Sequence, residues 1–198
     1  MNFLLVNASV HNDGATYKAL AEAKKAFERN GDTANIYWLG NSPRYTCLAC
    51  GGCRQERRCV IGDLDGIYPL IRECDGIIFG TPTYYATACG NLISVLSRLC
   101  FSAGELLKNK PAATLATARR AGAICAAAEV NKFFDFCSMI TVGACYPPIL
   151  YGGESDAEGM QNARSLANMM HWIAECIKSG KENGIFPPEE EPKIKTNI

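Results

Sequence analysis

The chain has 198 residues, 48% of them hydrophobic and 20% charged, with 20 basic side chains against 20 acidic ones. That length suits one domain with a large buried core, and the balance argues against both a disordered chain and a nucleic-acid-binding one. The opening MNFLLVNASVHNDG lacks a basic start and a cleavage pattern, and no apolar run reaches the roughly 20 residues of a membrane span, so a cytoplasmic protein without membrane contact is expected.

Residues 2–7 form an apolar run that predicts a first strand, residues 15–30 a helix, and residues 33–39 a second strand. Residues 40–62 show neither helical nor alternating periodicity, and a stretch that long in a small domain is functional or internally tethered. A helix is expected over 64–73, with Ile67, Leu70 and Ile71 at helical spacing. The nearly all-apolar run 75–80 then suits a strand covered on both faces. A helix over 89–101, a strand over 112–118, a helix over 123–137, a strand over 139–144 and a last helix over 158–178 complete the series.

Five strands separated by helices predict an α/β fold: a doubly wound parallel sheet of order 2-1-3-4-5 with helices on both faces. Ligands of such sheets bind beyond the carboxyl ends of the strands. That rule singles out the loops beginning at Asn7, Gly80 and Ala118. One domain is expected over 1–182 with a cysteine-rich insert at 44–62. A Pro- and Glu-rich tail follows over 183–198, extended or packed on a partner subunit.

The eleven cysteines are unevenly spread. Without an export signal, disulfides are not expected. Cys74, Cys89, Cys100, Cys125, Cys137, Cys145 and Cys176 sit in apolar segments and read as small buried hydrophobes. Cys47, Cys50, Cys53 and Cys59 instead form a C-x2-C-x2-C-x5-C motif, which suits one chain wrapping a cubane iron-sulfur cluster; zinc or free thiols stay open. Gly51 and Gly52 suit the tight path between ligands. Arg44, Arg54, Arg57 and Arg58 surround the motif, either offsetting an anionic cluster, presenting a basic face to an acidic redox partner, or simply solvated.

After the first strand, Ser9 to Thr16 (SVHNDGAT) runs directly into a helix, where free amides and hydroxyls bind phosphate well. An ordinary cap by Asp13 or Thr16 is the alternative. The segment resembles the S-x-R-x-x-G-x-T phosphate loop of the NADPH-dependent FMN reductases, a branch of the flavodoxin-like superfamily. The resemblance implies FMN phosphate contacts from Ser9, His11, Gly14, Ala15 and Thr16, with His11 replacing an arginine and Ala15 an asparagine.

The stretch after the third strand, TPTYYATACGN, is similar to the family's P-x-Y-x-x-x-x-G flavin loop. It implies a flavin wall of Pro82, Thr83, Tyr84, Tyr85, Ala86 and Gly90. The third flavin loop would be supplied by Ala118, Arg119 and Gly122, with the arginine either beside the anionic edge of a reduced ring or, with Arg120, a solvated surface pair. The compact cysteine motif is similar to that of the iron-sulfur flavoproteins within this family, implying a [4Fe-4S] cluster on Cys47, Cys50, Cys53 and Cys59 near FMN.

The expected activity is electron transfer between flavin, cluster and a small carrier such as ferredoxin, with NAD(P)H a candidate donor and a homodimer or homotetramer the expected assembly. No side chain is assigned acid-base catalysis. Two alternatives are an NAD(P)H-dependent FMN or quinone reductase without a cluster, and a thiol redox-sensing module.

Overall fold

Strands covered by helices on both sides can be apolar at every position, and the observed sheet explains the continuous apolar runs in those terms. In a computed structural model, which describes residues 1–189, 191 and 194, β1 (Asn2–Asn7) lies between β2 (Thr33–Trp38) and β3 (Gly76–Tyr84). A two-residue strand, β4 (Thr87–Ala88), folds back antiparallel on the end of β3. The other side of β3 pairs in parallel with β5 (Pro111–Ala118).

The last position of the expected order is shared by β6 (Ile140–Thr141) and β7 (Ile149–Tyr151), both parallel to β5. The order along the main path is β2-β1-β3-β5-β6, with seven strands among the described residues where five were expected. The strand expected over 139–144 shrinks to two residues and resumes after Pro147 and Pro148. A proline has no N–H to give the ladder, which confines it to an edge or an interruption.

The period-2 alternation of strand side chains divides the core in two. Phe3, Leu5 and Ile78 pack with Leu20 and Phe27 of α1 (Ala15–Arg29) and with Leu166 and Met170 of α6 (Ala157–Glu182). The Phe3 and Phe27 rings stack with centroids 4.0 Å apart. Leu4, Val6, Ile77 and Phe79 face the other way, onto α3 (Tyr68–Glu73), α4 (Gly90–Leu107) and α5 (Ala123–Phe136). Between β2 and α3 lie one short helix, α2 (Cys53–Glu56), and a 3-10 turn at Gly62–Leu64, so the helix expected from 64 begins at Tyr68.

α6 starts where the Asp156 carboxylate accepts a bond from the Gly159 amide at 2.8 Å, and it runs to Glu182. Residues 183–189 are exposed and non-helical; the rest of the expected tail, at 190, 192–193 and 195–198, lies outside the described residues. Among the described residues no helix is long and apolar enough to cross a membrane. The reading of the scattered cysteines as buried needs correction. Cys74, Cys89 and Cys137 are buried and Cys100 is half-buried, but Cys125, Cys145 and Cys176 are exposed on helix and loop surfaces.

Candidate functional site

The carboxyl ends of β1, β3 and β5 open into a crevice of about 520 Å³, within the range of small-molecule sites. Ser9, His11, Gly14, Ala15 and Thr16 line it from the first loop, Pro82, Thr83 and Tyr84 from the end of β3, and Ala118 and Arg119 from the end of β5. Thr117, Gly152 and Gly153 complete the wall. A larger cleft, about 830 Å³, opens at the other end of the sheet beside Met1, Asp75 and Pro111. It is walled by the carboxyl-terminal turns of α4 and α6.

The first loop is held open by buried partners rather than closed by a cap. Fully buried Asn7 accepts from the Ser9 amide at 3.0 Å and donates to the Asn12 carbonyl at 3.4 Å. Trp38 Nε1 donates to the Ser9 carbonyl at 2.8 Å. Ser9 Oγ accepts from the His11 amide at 3.1 Å, which leaves the serine proton free to be donated. Gly14 is the N-cap of α1 and offers no side-chain bond, so neither Asp13 nor Thr16 caps the helix. The first-turn amides therefore have no side-chain acceptor, and the positive end of α1 faces the crevice. Thr16 is buried, and its hydroxyl meets that of Thr117 at 2.8 Å.

The wall from β3 is a strained hairpin. Tyr85 and Ala86, at its tip, take φ of 51° and 63°, a left-handed pair that matches strand twist but costs each residue about 1–2 kcal/mol. Gly122 packs against it with φ of 85°, and a Cβ added there would stand only 2.7 Å from Ala86 Cα, leaving no room for one. Glu129 of α5 accepts from the buried Ala88 amide at 2.9 Å and from the Thr87 hydroxyl at 2.6 Å. Tyr85 points outward and is fully exposed, so Tyr85, Ala86, Gly90 and Gly122 support the wall without lining it. Partial burial pushes the Tyr84 phenol above its ordinary value, keeping it neutral. Thr83 Oγ1 is buried and has no hydrogen-bond partner among the described residues.

Cys47, Cys50, Cys53 and Cys59 all line a second, smaller pocket, closed by Leu48, Val60, Ile61 and Phe101. The segment around them uses left-handed residues, Ala49 at φ 51°, Gly51 at 73° and Arg57 at 54°. It is tied to the start of α4 by bonds from the Arg44 amide to Asn91 Oδ1 and from Asn91 Nδ2 to the Ser42 carbonyl, each 3.0 Å. The Cys59 amide donates to Tyr68 Oη at 2.8 Å, and Tyr68 Oη meets Ser102 Oγ at 2.7 Å. The four sulfurs share the pocket, yet among the described residues no three Cys, His, Asp or Glu side chains stand where they would hold a metal ion.

One of these sulfurs is reached by Arg98 of α4, outside the set expected from the segment. Its Nη1 lies 3.8 Å from Cys59 Sγ. It also forms two bonds to Asp63, at 2.5 and 2.9 Å. Arg44 turns instead to Asp63 and the Leu39 carbonyl, and Arg58 to Asp65. Burial alone pushes the Asp63 carboxyl up, but bonds from Arg98 and then Arg44 outweigh it and hold the group below the usual carboxylate range.

Residues 1–150 match the family model of NADPH-dependent FMN reductase. An iron-sulfur flavoprotein of Methanocaldococcus jannaschii is 28% identical over 192 residues, covering 90% of this chain and all of that one. An iron-sulfur flavoprotein of Methanosarcina thermophila is 28% identical over 173 residues, covering 83% and 91%. Among solved structures, the flavoenzyme NAD(P)H:(acceptor) oxidoreductase FerB of Paracoccus denitrificans superposes with a TM-score of 0.64 at 18% identity, over 90% of this chain and 97% of that one. The chain belongs to the NADPH-dependent FMN reductase family of flavin-dependent oxidoreductases.

Proposed function

We propose that the strand-end crevice binds FMN and that the cysteine pocket carries a [4Fe-4S] cluster, the pair moving electrons to or from an external one-electron carrier such as ferredoxin. The observation that carries the flavin half is the convergence on one crevice of an uncapped helix start, the donor hydroxyl of Ser9 and the unpartnered Thr83 hydroxyl. A phosphate suits the first two, because among the described residues α1 starts without a side-chain cap and the serine Oγ is engaged only as an acceptor. Pro82 and Tyr84 offer flat apolar walls for a ring system, and Arg119 brings a cation to the β5 side of the crevice.

When bound, FMN supplies one- or two-electron transfer and the cluster one-electron transfer. The four cysteines fit such a group by their chemistry: four thiols on one pocket, an apolar lid, and a buried guanidinium beside one sulfur. Ligation asks segment 47–59 to draw its sulfurs inward. Arg54, Arg57 and Arg72, with the exposed Phe101, line a cleft of about 470 Å³ next to Cys53, a basic approach for an acidic carrier. NAD(P)H is the candidate donor.

A second reading, an NAD(P)H-dependent FMN or quinone reductase without a cluster, is favoured by the sulfurs not standing at ligating positions. Iron and acid-labile sulfide analysis of anaerobically purified protein, with an FMN fluorescence titration, separates the two. The first reading expects one FMN and about four irons per chain, with iron but not FMN lost in Cys50→Ser. Iron-free protein that binds FMN and oxidises NAD(P)H would replace it with the second.

A further inference from the structure

α4 presents Leu92, Val95, Leu96 and Leu99 to the core, and Arg98 is buried among them at 1% exposure, the largest fully buried side chain among the described residues. Burying a guanidinium is unfavourable unless its charge is met. Asp63 meets it with a bidentate pair, but the same carboxylate also takes Arg44 at 3.2 Å. Two cations thus share one anion, and one positive charge is left over among the three groups, of which Arg98 is buried while Arg44 and Asp63 keep 17% and 26% of their side chains exposed. Arg98 Nε is buried without a partner among the described residues, and its Nη1 reaches toward Cys59 Sγ at 3.8 Å. A neutral structural pair needs neither the second arginine nor the contact with sulfur.

We infer that Arg98 is a positioning residue for the iron-sulfur centre, donating N–H···S to Cys59 and lending the uncompensated charge of the Arg98–Asp63–Arg44 triad to the pocket, so that the cluster's reduction potential is raised. The inference rests on the cluster reading above. Four thiolates around an iron-sulfur core leave it anionic, and one more electron makes it more so; a fixed buried cation therefore favours the reduced form.

The test is an anaerobic redox titration of the iron-loaded protein, with the cluster followed by electron paramagnetic resonance and the flavin by absorbance. Arg98→Gln is expected to lower the cluster's midpoint, by about a tenfold change in its reduction equilibrium or ~59 mV for one electron. Arg98→Lys is expected to recover part of that, and the flavin midpoint is expected to stay in place. If Arg98→Gln does not fold, two milder variants carry the test: Arg44→Gln frees Asp63 to neutralise Arg98 and lowers the potential, whereas Asp63→Asn raises it. Iron-loaded variants with an unchanged potential, or with the opposite signs, overturn this inference alone. A wild-type protein without iron overturns the cluster reading and this inference with it.

Discussion

Glu129 stands away from the crevice, yet the hairpin that walls it depends on this carboxylate. Its Oε2 takes bonds from the buried Ala88 amide at 2.9 Å and from the exposed Thr87 hydroxyl at 2.6 Å. In Glu129→Ala, water can replace the partner of Thr87, but the Ala88 amide, in a residue only 2% exposed, loses its acceptor. An orphaned buried donor costs about 1–3 kcal/mol, so a loss near 2 kcal/mol is expected. For a domain of this size that lowers the melting temperature by about 4–8 °C. The left-handed tip at Tyr85 and Ala86 stores strain that favours opening, so part of the cost falls on the crevice. FMN affinity is expected to fall by about tenfold, bounded near thirtyfold if the hairpin opens fully. In Glu129→Gln the amide oxygen still accepts from Ala88, and most of both losses is expected to disappear. Thermal melts and FMN fluorescence titrations of the three proteins decide the matter. An alanine variant that melts and binds like wild type, or a glutamine variant as damaged as alanine, would refute the clamp.

The depressed Asp63 carboxyl sets a pH dependence with a definite sign. A group whose folded value lies below its unfolded one contributes stability that is present above the unfolded value, near 4, and lost as pH falls through the folded one. Urea midpoints should therefore decline on acidification below about pH 4, and more shallowly in Asp63→Asn; equal slopes would count against the triad. Phe79→Ala removes a ring 1% exposed and 5.6 Å from that of Phe134, and a cost of about 3–5 kcal/mol is expected in urea unfolding. Among the cysteines outside the 47–59 motif, alkylation followed by peptide mass spectrometry should label Cys125, Cys145 and Cys176 first. Cys74, whose thiol burial pushes up to about 11, should react only after unfolding.

The central strands were legible because covering both faces of a strand leaves an apolar run that no loop imitates, as at Ile77, Ile78 and Phe79. The edge was not: among the described residues β6 and β7 pair only with β5, and the prolines between them interrupt the pairing that the 139–144 run promises. In the crevice, Ser9 and Gly14 are readable because a helix start imposes their chemistry locally. Thr117 meets Thr16 across 101 residues, a pairing that only the parallel sheet creates, and no local pattern announces it. Tyr85 misleads for the opposite reason, since its aromatic character suggested a wall while the left-handed hairpin tip turns it to solvent. Arg98 left a weak signal, a single charge inside the apolar stripe of α4; what it serves became visible only when Asp63 and Cys59 arrived from another segment.

The central proposal, that one chain holds flavin and cluster together, is tested most directly by the absorption spectrum of anaerobically purified protein before and after reduction with dithionite. Flavin bands superimposed on a broad iron-sulfur absorption are expected, both bleaching on reduction, with an iron-sulfur paramagnetic signal in the reduced sample. Flavin bands without iron-sulfur absorption would contradict the cluster, and a colourless protein that takes up no added FMN would contradict the whole.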